Sequence, residues 1–294
     1  MKKVIFIFVM FLFCLIAVSS FAQESDVQED FITDNVTIET SILGRQDVEG
    51  ASASVDIIST RLGVECDFLK FGYTLSDYNW TNPDSLSFGN SKDDPWGSLH
   101  KINLMMRYGG KIDEKWMYMV LTKIDSGFEN EVNNSFGYGL GMLGAYKFSP
   151  KFRIILGTLL SYDEIEETEL GPIFGFLWDD GDDRGFSLNV GVPETYLKYD
   201  FNDRLSLNLK FDIVKDLYRL SDHSVVSEKG YFRDEFIGYA LMLNYSFNKN
   251  MHIEFGPQII SKHEFNIYDR NGNKIDEYDI DDAFGFKLKF TRDF

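Results

Sequence analysis

The sequence predicts an all-β fold, an antiparallel β-barrel that spans a membrane, from three observations. Apolar residues alternate with small or polar ones over long stretches, one tight-turn pattern recurs three times, and long polar loops separate the turns. Hydrophobic residues make up 44% of the 294 residues and aromatic residues 16%, which excludes a disordered chain. The net charge of −18 argues against a nucleic-acid partner, because phosphates repel an acidic surface.

The alternation is clearest from Phe136 to Phe148, where aromatic and aliphatic residues are separated by mostly small or polar ones. The same period recurs over 205–213, 237–247 and 251–259. A period of two predicts strands with one apolar face. These strands are about 10 to 13 residues long, whereas strands of soluble proteins have about 5 or 6 residues and tilted bilayer-crossing strands about 9 to 11. Strand length therefore favours a membrane barrel.

The remaining stretches of this kind set the expected size of the barrel. They are 35–43, 52–64, 68–78, 98–109, 115–124, 152–162, 171–178, 185–192, 195–201 and 284–294. The first of them could instead be a periplasmic lead-in, and 185–201 could form a single irregular strand. We therefore expect about 12 strands, within a range of roughly 10 to 14, and an even number if both termini are periplasmic.

One turn pattern occurs three times, and each copy places two aromatic residues just before a tight polar turn. The aromatic pairs are Tyr146 and Phe148, Tyr199 and Phe201, and Tyr245 and Phe247. In a membrane barrel such residues form the aromatic girdle at one interface, and the short turns face the periplasm. Hairpins of a soluble β-protein would also carry this pattern.

Long polar segments occupy the opposite ends of the strands. They run from Asn79 to Trp96, Asp125 to Asn134, Asp163 to Glu169, Lys215 to Asp234 and Glu264 to Asp282. Short turns on one side and long loops on the other are typical of bacterial outer-membrane barrels. In the last loop, Asn271-Gly272 predicts a type I′ turn in a small exposed hairpin.

The first 22 residues predict a signal peptide that is removed during export. A positively charged start precedes the uncharged apolar run 4–18, and Ser20-Phe21-Ala22 fits the small-x-small cleavage rule. The run is too short to span a bilayer comfortably, which argues against an uncleaved anchor. We therefore expect cleavage near Ala22, a lead-in over 23–34, a barrel over 35–294 and a location in the bacterial outer membrane.

If the apolar faces of the strands meet lipid, the opposite faces line the lumen. The lumen-lining candidates are Arg107, Arg153, Lys210, Asp212, Glu254, Lys287 and Lys289. A mostly basic lumen would favour anions, as lysine and arginine rings do in anion pores. The same charges could instead pair across the barrel and stiffen it. The leading interpretation is thus a narrow pore for small solutes or a structural barrel.

The last strand alternates apolar residues, including Phe290, and ends on Phe294, which resembles the C-terminal signature of proteins inserted by the bacterial barrel-assembly machinery. Arg292 departs from that pattern, which has an apolar or aromatic residue there. Gly-Pro-Ile-Phe-Gly (171–175) and Val-Gly-Val-Pro-Glu-Thr-Tyr (190–196) resemble an uncharacterised outer-membrane barrel family of Gram-negative bacteria. The resemblance implies the barrel and its location but no activity. The expected partners are outer-membrane lipid, lipopolysaccharide and the assembly machinery, with the oligomeric state left open.

Two alternatives remain. The first is a barrel enzyme or loop-mediated binding protein at the cell surface, for which His223 and His263 are the residues to test. The chain carries no zinc, phosphate-loop or dinucleotide motif, so we predict no catalytic residue, metal or cofactor. The second alternative is a soluble periplasmic β-sandwich, which would be extracted without detergent.

Overall fold

The computed structural model describes residues 34–86, 94–181, 184–191 and 194–294, so the predicted signal peptide lies outside the described residues. Among the described residues the helical elements amount to one 3-10 turn, Pro83–Ser85, and no helix is long and apolar enough to cross a membrane. The strands are β1 (Asn35–Asp47), β2 (Ser54–Cys66), β3 (Leu69–Thr81), β4 (Ser98–Lys111), β5 (Trp116–Phe128), β6 (Phe136–Ser149), β7 (Phe152–Asp163), β8 (Glu167–Asp179), β9 (Gly185–Val190), β10 (Thr195–Asn202), β11 (Leu205–Arg219), β12 (Tyr231–Asn248), β13 (Met251–Tyr268), β14 (Lys274–Ile280) and β15 (Ala283–Asp293).

These strands form one closed antiparallel sheet. Each strand from β1 to β13 pairs with the next in the chain, and β15 pairs with both β13 and β1. β14 and β15 occupy a single strand position in the sheet. The reason is that β13 pairs with both of them in one register, His263 with Ile280 and Ile260 with Ala283. Counted as one, they give a ring of 14 strands, at the upper end of the expected range.

The structure resolves the two ambiguous segments as ordinary wall strands. β1 pairs along its length with β2 and β15 and is not a lead-in, while 185–190 and 195–202 form two antiparallel strands, β9 and β10. Several strands are longer than expected. β7 reaches Asp163 and β8 begins at Glu167, so the predicted long loop from Asp163 to Glu169 is only a short turn. β11, β12 and β13 also extend through 215–219, 231–234 and 264–268, which we predicted as loops. They remain strands because their antiparallel pairing continues above the apolar belt and buries aromatic side chains there.

The hairpin around Asn271-Gly272 exists, but its turn is not type I′. That type requires positive φ at both central residues, whereas in this loop only Gly272 has it, at 82°. The Asp269 carboxylate instead accepts hydrogen bonds from the N–H groups of Asn271 and Asn273, at 2.8 and 2.9 Å. The hairpin is also less exposed than expected, since Ile267 on its β13 side is fully buried.

The outward faces of the strands carry the apolar belt. Successive side chains of a strand point to opposite sides of the sheet, and the register aligns apolar residues of neighbouring strands. Leu140, for example, pairs with Thr122 on one side and Leu160 on the other. The exposed large apolar residues of β6 and β7 are Phe136, Tyr138, Leu140, Met142, Phe148, Leu156, Leu160 and Tyr162. In water such a surface would be costly, so it indicates contact with lipid.

The inner faces of opposite walls touch at the end of the barrel that carries the long loops. Residues of β1 to β4 and β11 to β15 form one buried apolar cluster. Its centre is aromatic: the ring centroids of Trp96 and Phe232 are 4.1 Å apart, and Phe265 packs edge-on against both. This cluster, which we call the aromatic lid, joins the two walls at the long-loop end of the barrel.

A second contact crosses the lumen between β5 and β11. The ends of these strands form a parallel bridge at Phe128 and Arg219, and the Glu129 N–H donates to the Arg219 carbonyl at 2.9 Å. Gly127 permits this approach, because a Cβ there would lie 2.1 Å from the Leu217 carbonyl oxygen. β5 and β11 are far apart in the ring, so this bridge narrows the barrel.

We predict that Gly127→Ala lowers the free energy of unfolding by about 1–3 kcal/mol, since the added methyl group overlaps the β11 backbone. The matched control is Gly139→Ala on β6, where the nearest atom to a Cβ is 3.4 Å away and no loss is expected. Urea unfolding of the refolded chain, followed by tryptophan fluorescence, measures both. Equal midpoints for the two variants would show that the β5–β11 approach does not stabilise the barrel.

Candidate functional site: the barrel lumen

Five of the predicted lumen charges meet at the inner wall of β11 to β15. The Glu254 carboxylate lies between two ammonium groups, at 2.6 Å from Lys210 Nζ and 3.2 Å from Lys289 Nζ. Lys287 Nζ lies 4.0 Å from the Asp212 carboxylate and 3.7 Å from Glu39. Because each lysine has an acidic partner, this wall presents paired charge and no basic ring.

The two predicted arginines lie on other strands. Arg107 on β4 forms an ion pair with Glu65 of β2, which also contacts Lys70 at 3.5 Å. Arg153 on β7 lies beside Lys147 at the short-turn end of the opposite wall. Sequence reasoning missed the pair that crosses the barrel, between Lys101 of β4 and Asp216 of β11. Only the tertiary structure brings those two strands face to face.

The middle of the inner wall of β5 to β8 is aliphatic, which the sequence pattern showed only as a small or polar face. Leu121, Leu143, Leu159 and Ile173 lie on the inward side, since their sequence neighbours face outward. Glycines on adjacent strands make room for them: a Cβ on Gly141 would overlap the Leu121 side chain. The same wall also carries an ion pair of 2.9 Å between Lys123 and Asp125 on β5. The lumen therefore has two unlike walls, one lined by paired charges and one with an aliphatic middle.

Polar groups are buried in the aromatic lid and form a connected chain. Tyr78 donates from its hydroxyl to Asp234 Oδ2 at 2.9 Å, and His263 Nε2 lies 2.7 Å from Asp234 Oδ1. The other histidine nitrogen lies 2.6 Å from Gln46 Oε1. The chain links β1, β3, β12 and β13. His263 is fully buried between aromatic rings, so it cannot contact a substrate and belongs to the lid.

Acidic loops at the long-loop end of the barrel contact two buried arginines. Arg233 contacts Glu166 at 2.5 Å and Asp163 at 3.1 Å in the acidic β7–β8 turn. Arg219 pairs with Glu131 and Asp222, and its hydrogen bond lowers the pKa of Asp222. The acidic run that the sequence shows is thus used for ion pairing. His223 lies in this loop region, where its N–H donates to Ser221 Oγ.

Near these arginines, Glu129 has a perturbed carboxyl group. Burial raises its pKa, and the nearby Glu131 acts in the same direction. The Ser221 N–H, which donates to Glu129 at 2.8 Å, opposes that shift by stabilising the charged form. This hydrogen bond ties the β5–β6 loop to the loop that follows β11.

A serine, a histidine and an aspartate meet at the short-turn end of the lumen. Ser246 Oγ lies 2.9 Å from His252 Nδ1, and His252 Nε2 lies 2.7 Å from Asp293 Oδ2. In the tautomer protonated at Nε2, the ring can accept the serine proton while the carboxylate orients it, as nucleophile activation requires. Sequence reasoning missed this group. The hairpin register could have paired Ser246 with His252, but Asp293 arrives from β15.

The predicted interface aromatics lie at the short-turn ends of the strands. In each repeated turn the two rings pack edge-to-face, with centroids 4.6, 5.0 and 5.2 Å apart for Tyr146–Phe148, Tyr199–Phe201 and Tyr245–Phe247. At the C-terminus, the Phe294 N–H donates to the Asp34 carbonyl at 2.9 Å. Phe290 pairs with Ile38 on the outward face. Recognition of the last strand by an assembly machine stays a prediction.

Within the described ranges, no three histidine, cysteine or acidic side chains are grouped to hold a metal ion. No protein-family model and no curated protein matches the chain, so the resemblance carried by 171–175 and 190–196 also stays a prediction.

Several solved structures are similar over most of their length. An outer-membrane channel from Pseudomonas putida F1 is 10% identical, with a TM-score of 0.41 over 93% of this chain and 100% of that one. A Pseudomonas aeruginosa FadL homologue is 12% identical, with a TM-score of 0.40 over 90% and 91%. The KdgM porin is 8% identical, with a TM-score of 0.34 over 88% and 99%. These values are low, so function is argued below from this chain's own residues.

We predict that Glu254→Gln destabilises the barrel by about 2–4 kcal/mol, because it leaves two lumenal lysines without their common partner. Glu277→Gln is the matched control, since Glu277 also lies 2.6 Å from a lysine but is 50% exposed, against 10% for Glu254. Glu277→Gln should lower the free energy of unfolding by no more than about 0.5 kcal/mol. Equal urea midpoints for both variants would mean that the lumenal pairs are as weak as surface pairs.

Proposed function

We propose that this chain is an integral outer-membrane barrel that admits small solutes to a narrow lumen and is closed towards the outside in this conformation. The carrying observation is the aromatic lid, in which Trp96 and Tyr78 from one wall pack directly against Phe232 from the opposite wall. A wide diffusion pore keeps its opposite walls apart with water between them. Direct contact between walls therefore supports a gated or selective barrel.

The outer surface supports the membrane location. Exposed apolar side chains alternate along the wall strands, and aromatic pairs lie where the short turns begin. A lipid-facing belt with an aromatic girdle suits a bilayer and would be a liability in the periplasm, so it counts against a soluble sandwich. Outer-membrane lipid and lipopolysaccharide are then the surrounding partners, and the barrel-assembly machinery would insert the chain through a last strand ending at Phe294.

The charges of the lumen weigh against simple anion selectivity. Lys210, Lys287 and Lys289 each have an acidic partner, so the field that a free basic ring would create is largely cancelled. The lumenal pairs stiffen the wall and narrow the space. The expected solutes are small, and charge alone does not choose among them.

We predict that the refolded wild-type chain shows few or no conductance steps in a planar bilayer, because the aromatic lid fills one end of the lumen. Trp96→Ala removes the ring that packs on Phe232 and should produce frequent steps. Phe284→Ala is the control, since that side chain faces outward and does not belong to the lid. A heat-shifted gel band verifies folding of each variant. Large steady steps from the wild type would contradict a closed lumen.

A second candidate function is ester hydrolysis at the periplasmic mouth, which only the Ser246–His252–Asp293 arrangement favours. If it is correct, a fluorophosphonate probe labels the folded barrel, and labelling is lost in Ser246→Ala and falls at least tenfold in His252→Ala. Ser206→Ala, which removes a buried hydroxyl on the neighbouring strand, is the control and should not change labelling. Absence of labelling in the folded wild type would rule the hydrolase out.

A further inference from the structure

Three neighbouring strand positions are irregular near the long-loop end of the barrel. In β13 the register with β12 shifts by one residue at Lys262, which has a positive φ of 51°. In the next strand position, Asp281 and Asp282 separate β14 from β15, and in β1 the register with β2 shifts between Leu43 and Gln46. A bulge bends the strand that carries it, so these irregularities form a line, which we call the crease, where the wall can bend. An open cavity of about 600 Å³ lies at Lys262, Asp281 and Asp282, which leaves room for bending.

The part of β11 to β14 above the crease, which we call the flap, comprises 215–219, 231–235 and 263–280. Its two faces make different contacts, because successive side chains of a strand point to opposite sides. One face carries Phe232 and Phe265 into the aromatic lid, where they pack against Tyr78 and Trp96. Among the described residues, none of the buried members of that lid comes from β5 to β10. Apolar packing therefore holds the flap to β3 and β4.

A second border joins the base of the flap to β5. The Glu129 N–H donates to the Arg219 carbonyl at 2.9 Å, and the Arg219 guanidinium lies 3.2 Å from Glu131. The N–H groups of Ser221 and Asp222 donate to these two glutamates, at 2.8 and 3.2 Å. Because backbone groups take part on both sides, this border is tied by more than side-chain charge.

The third border joins the flap to the β7–β8 turn, and side-chain charges hold it. Arg233 lies 3.1 Å from Asp163 and 2.5 Å from Glu166. The tip of the β13–β14 hairpin rests on the same turn, since a Cβ at Gly272 would lie 3.9 Å from the Ile165 Cα. We call these contacts, between Arg233 and the two acids and between Gly272 and Ile165, the latch.

The latch is the border that separates at the lowest cost. Opening the aromatic lid would expose Trp96 and Phe232, whose side chains are fully buried, to water. Opening the latch would move two carboxylates that are already 28% and 41% exposed into water, and ion pairs of exposed groups contribute little because water replaces them. Arg233 would also keep a carboxylate of its own strand, since Glu235 lies 3.8 Å away.

The inner wall just below the latch is polar. Lys123, Gly139, Ser161 and Glu169 follow one another in register across β5 to β8, and Glu169 lies two residues from the start of β8. Lys123 pairs with Asp125 at 2.9 Å on the same inward face. A molecule that enters beside the β7–β8 turn therefore meets charged and hydroxyl groups before it reaches the aliphatic middle of that wall.

We propose that the barrel opens at the latch: the flap, with the aromatic lid packed on it, tilts at the crease away from the β7–β8 turn and admits a small water-soluble solute. This inference rests on the proposed function, since it needs a barrel that is closed in this conformation. It adds the border that opens and the class of solute that the polar wall below it accepts.

The test counts conductance steps of the refolded chain, without its predicted signal peptide, in a planar bilayer. Asp163→Asn combined with Glu166→Gln removes the latch charges from the turn, and Arg233→Gln removes the charge from the flap. We expect each of these two variants to raise the step frequency at least tenfold over the wild type. Lys151→Gln is the matched control, because it breaks a 2.9 Å ion pair with Asp180 at the short-turn end and should change nothing.

A disulfide across the latch tests which border moves. Ile165→Cys and Gly272→Cys are introduced together with Cys66→Ser into the Asp163→Asn, Glu166→Gln variant. We expect the frequent steps to disappear when the two cysteines are oxidised and to return at least tenfold after addition of dithiothreitol. The same chain with Ile165→Cys alone is the control, and its steps should not respond to oxidant or reductant.

A heat-shifted gel band verifies that each variant is folded. Folded latch variants that step no more often than Lys151→Gln would overturn the latch, as would steps that persist in the oxidised form or two cysteines that fail to join. If Trp96→Ala steps frequently and the latch variants do not, the closed lid stands and the latch is wrong. Large steady steps from the wild type would instead overturn the closed lumen of the proposed function.

Discussion

The fold depends on the requirement that backbone hydrogen bonds be satisfied within a surrounding that offers none. In hydrocarbon a strand cannot leave an edge to solvent, so the sheet must close on itself. Here the closure joins the two ends of the barrel domain: β15 pairs with β1 from Asn35–Asp293 upward, and the Phe294 N–H reaches the Asp34 carbonyl. The outward apolar faces, the aromatic pairs at the turns and the inward polar faces all follow from that closed ring.

Closure creates a second problem, which is how to fill the interior. The chain solves it differently at different heights. In the membrane-level part, lysines and acids pair with one another on one wall and aliphatic side chains line the other. At the extracellular end, the long strands β11 to β13 bring aromatic rings against β3 and β4, and the Asp234 and His263 network ties four strands together. The upper end therefore resembles the core of a soluble sandwich, although the lower part is a membrane barrel.

Local sequence was enough for the fold class, the strand positions and the sorting of outward from inward residues, because a period of two links each side chain directly to one face of a sheet. The sequence also predicted the aromatic pairs of the girdle, since Tyr146 and Phe148 are two residues apart in one strand. It could not predict the partners of Lys101, Asp234 and Asp293, because their contacts depend on which strands meet in the closed barrel. The extension of β11 to β13 was missed for the same reason: polar segments became strands when their pairing buried rings from the opposite wall.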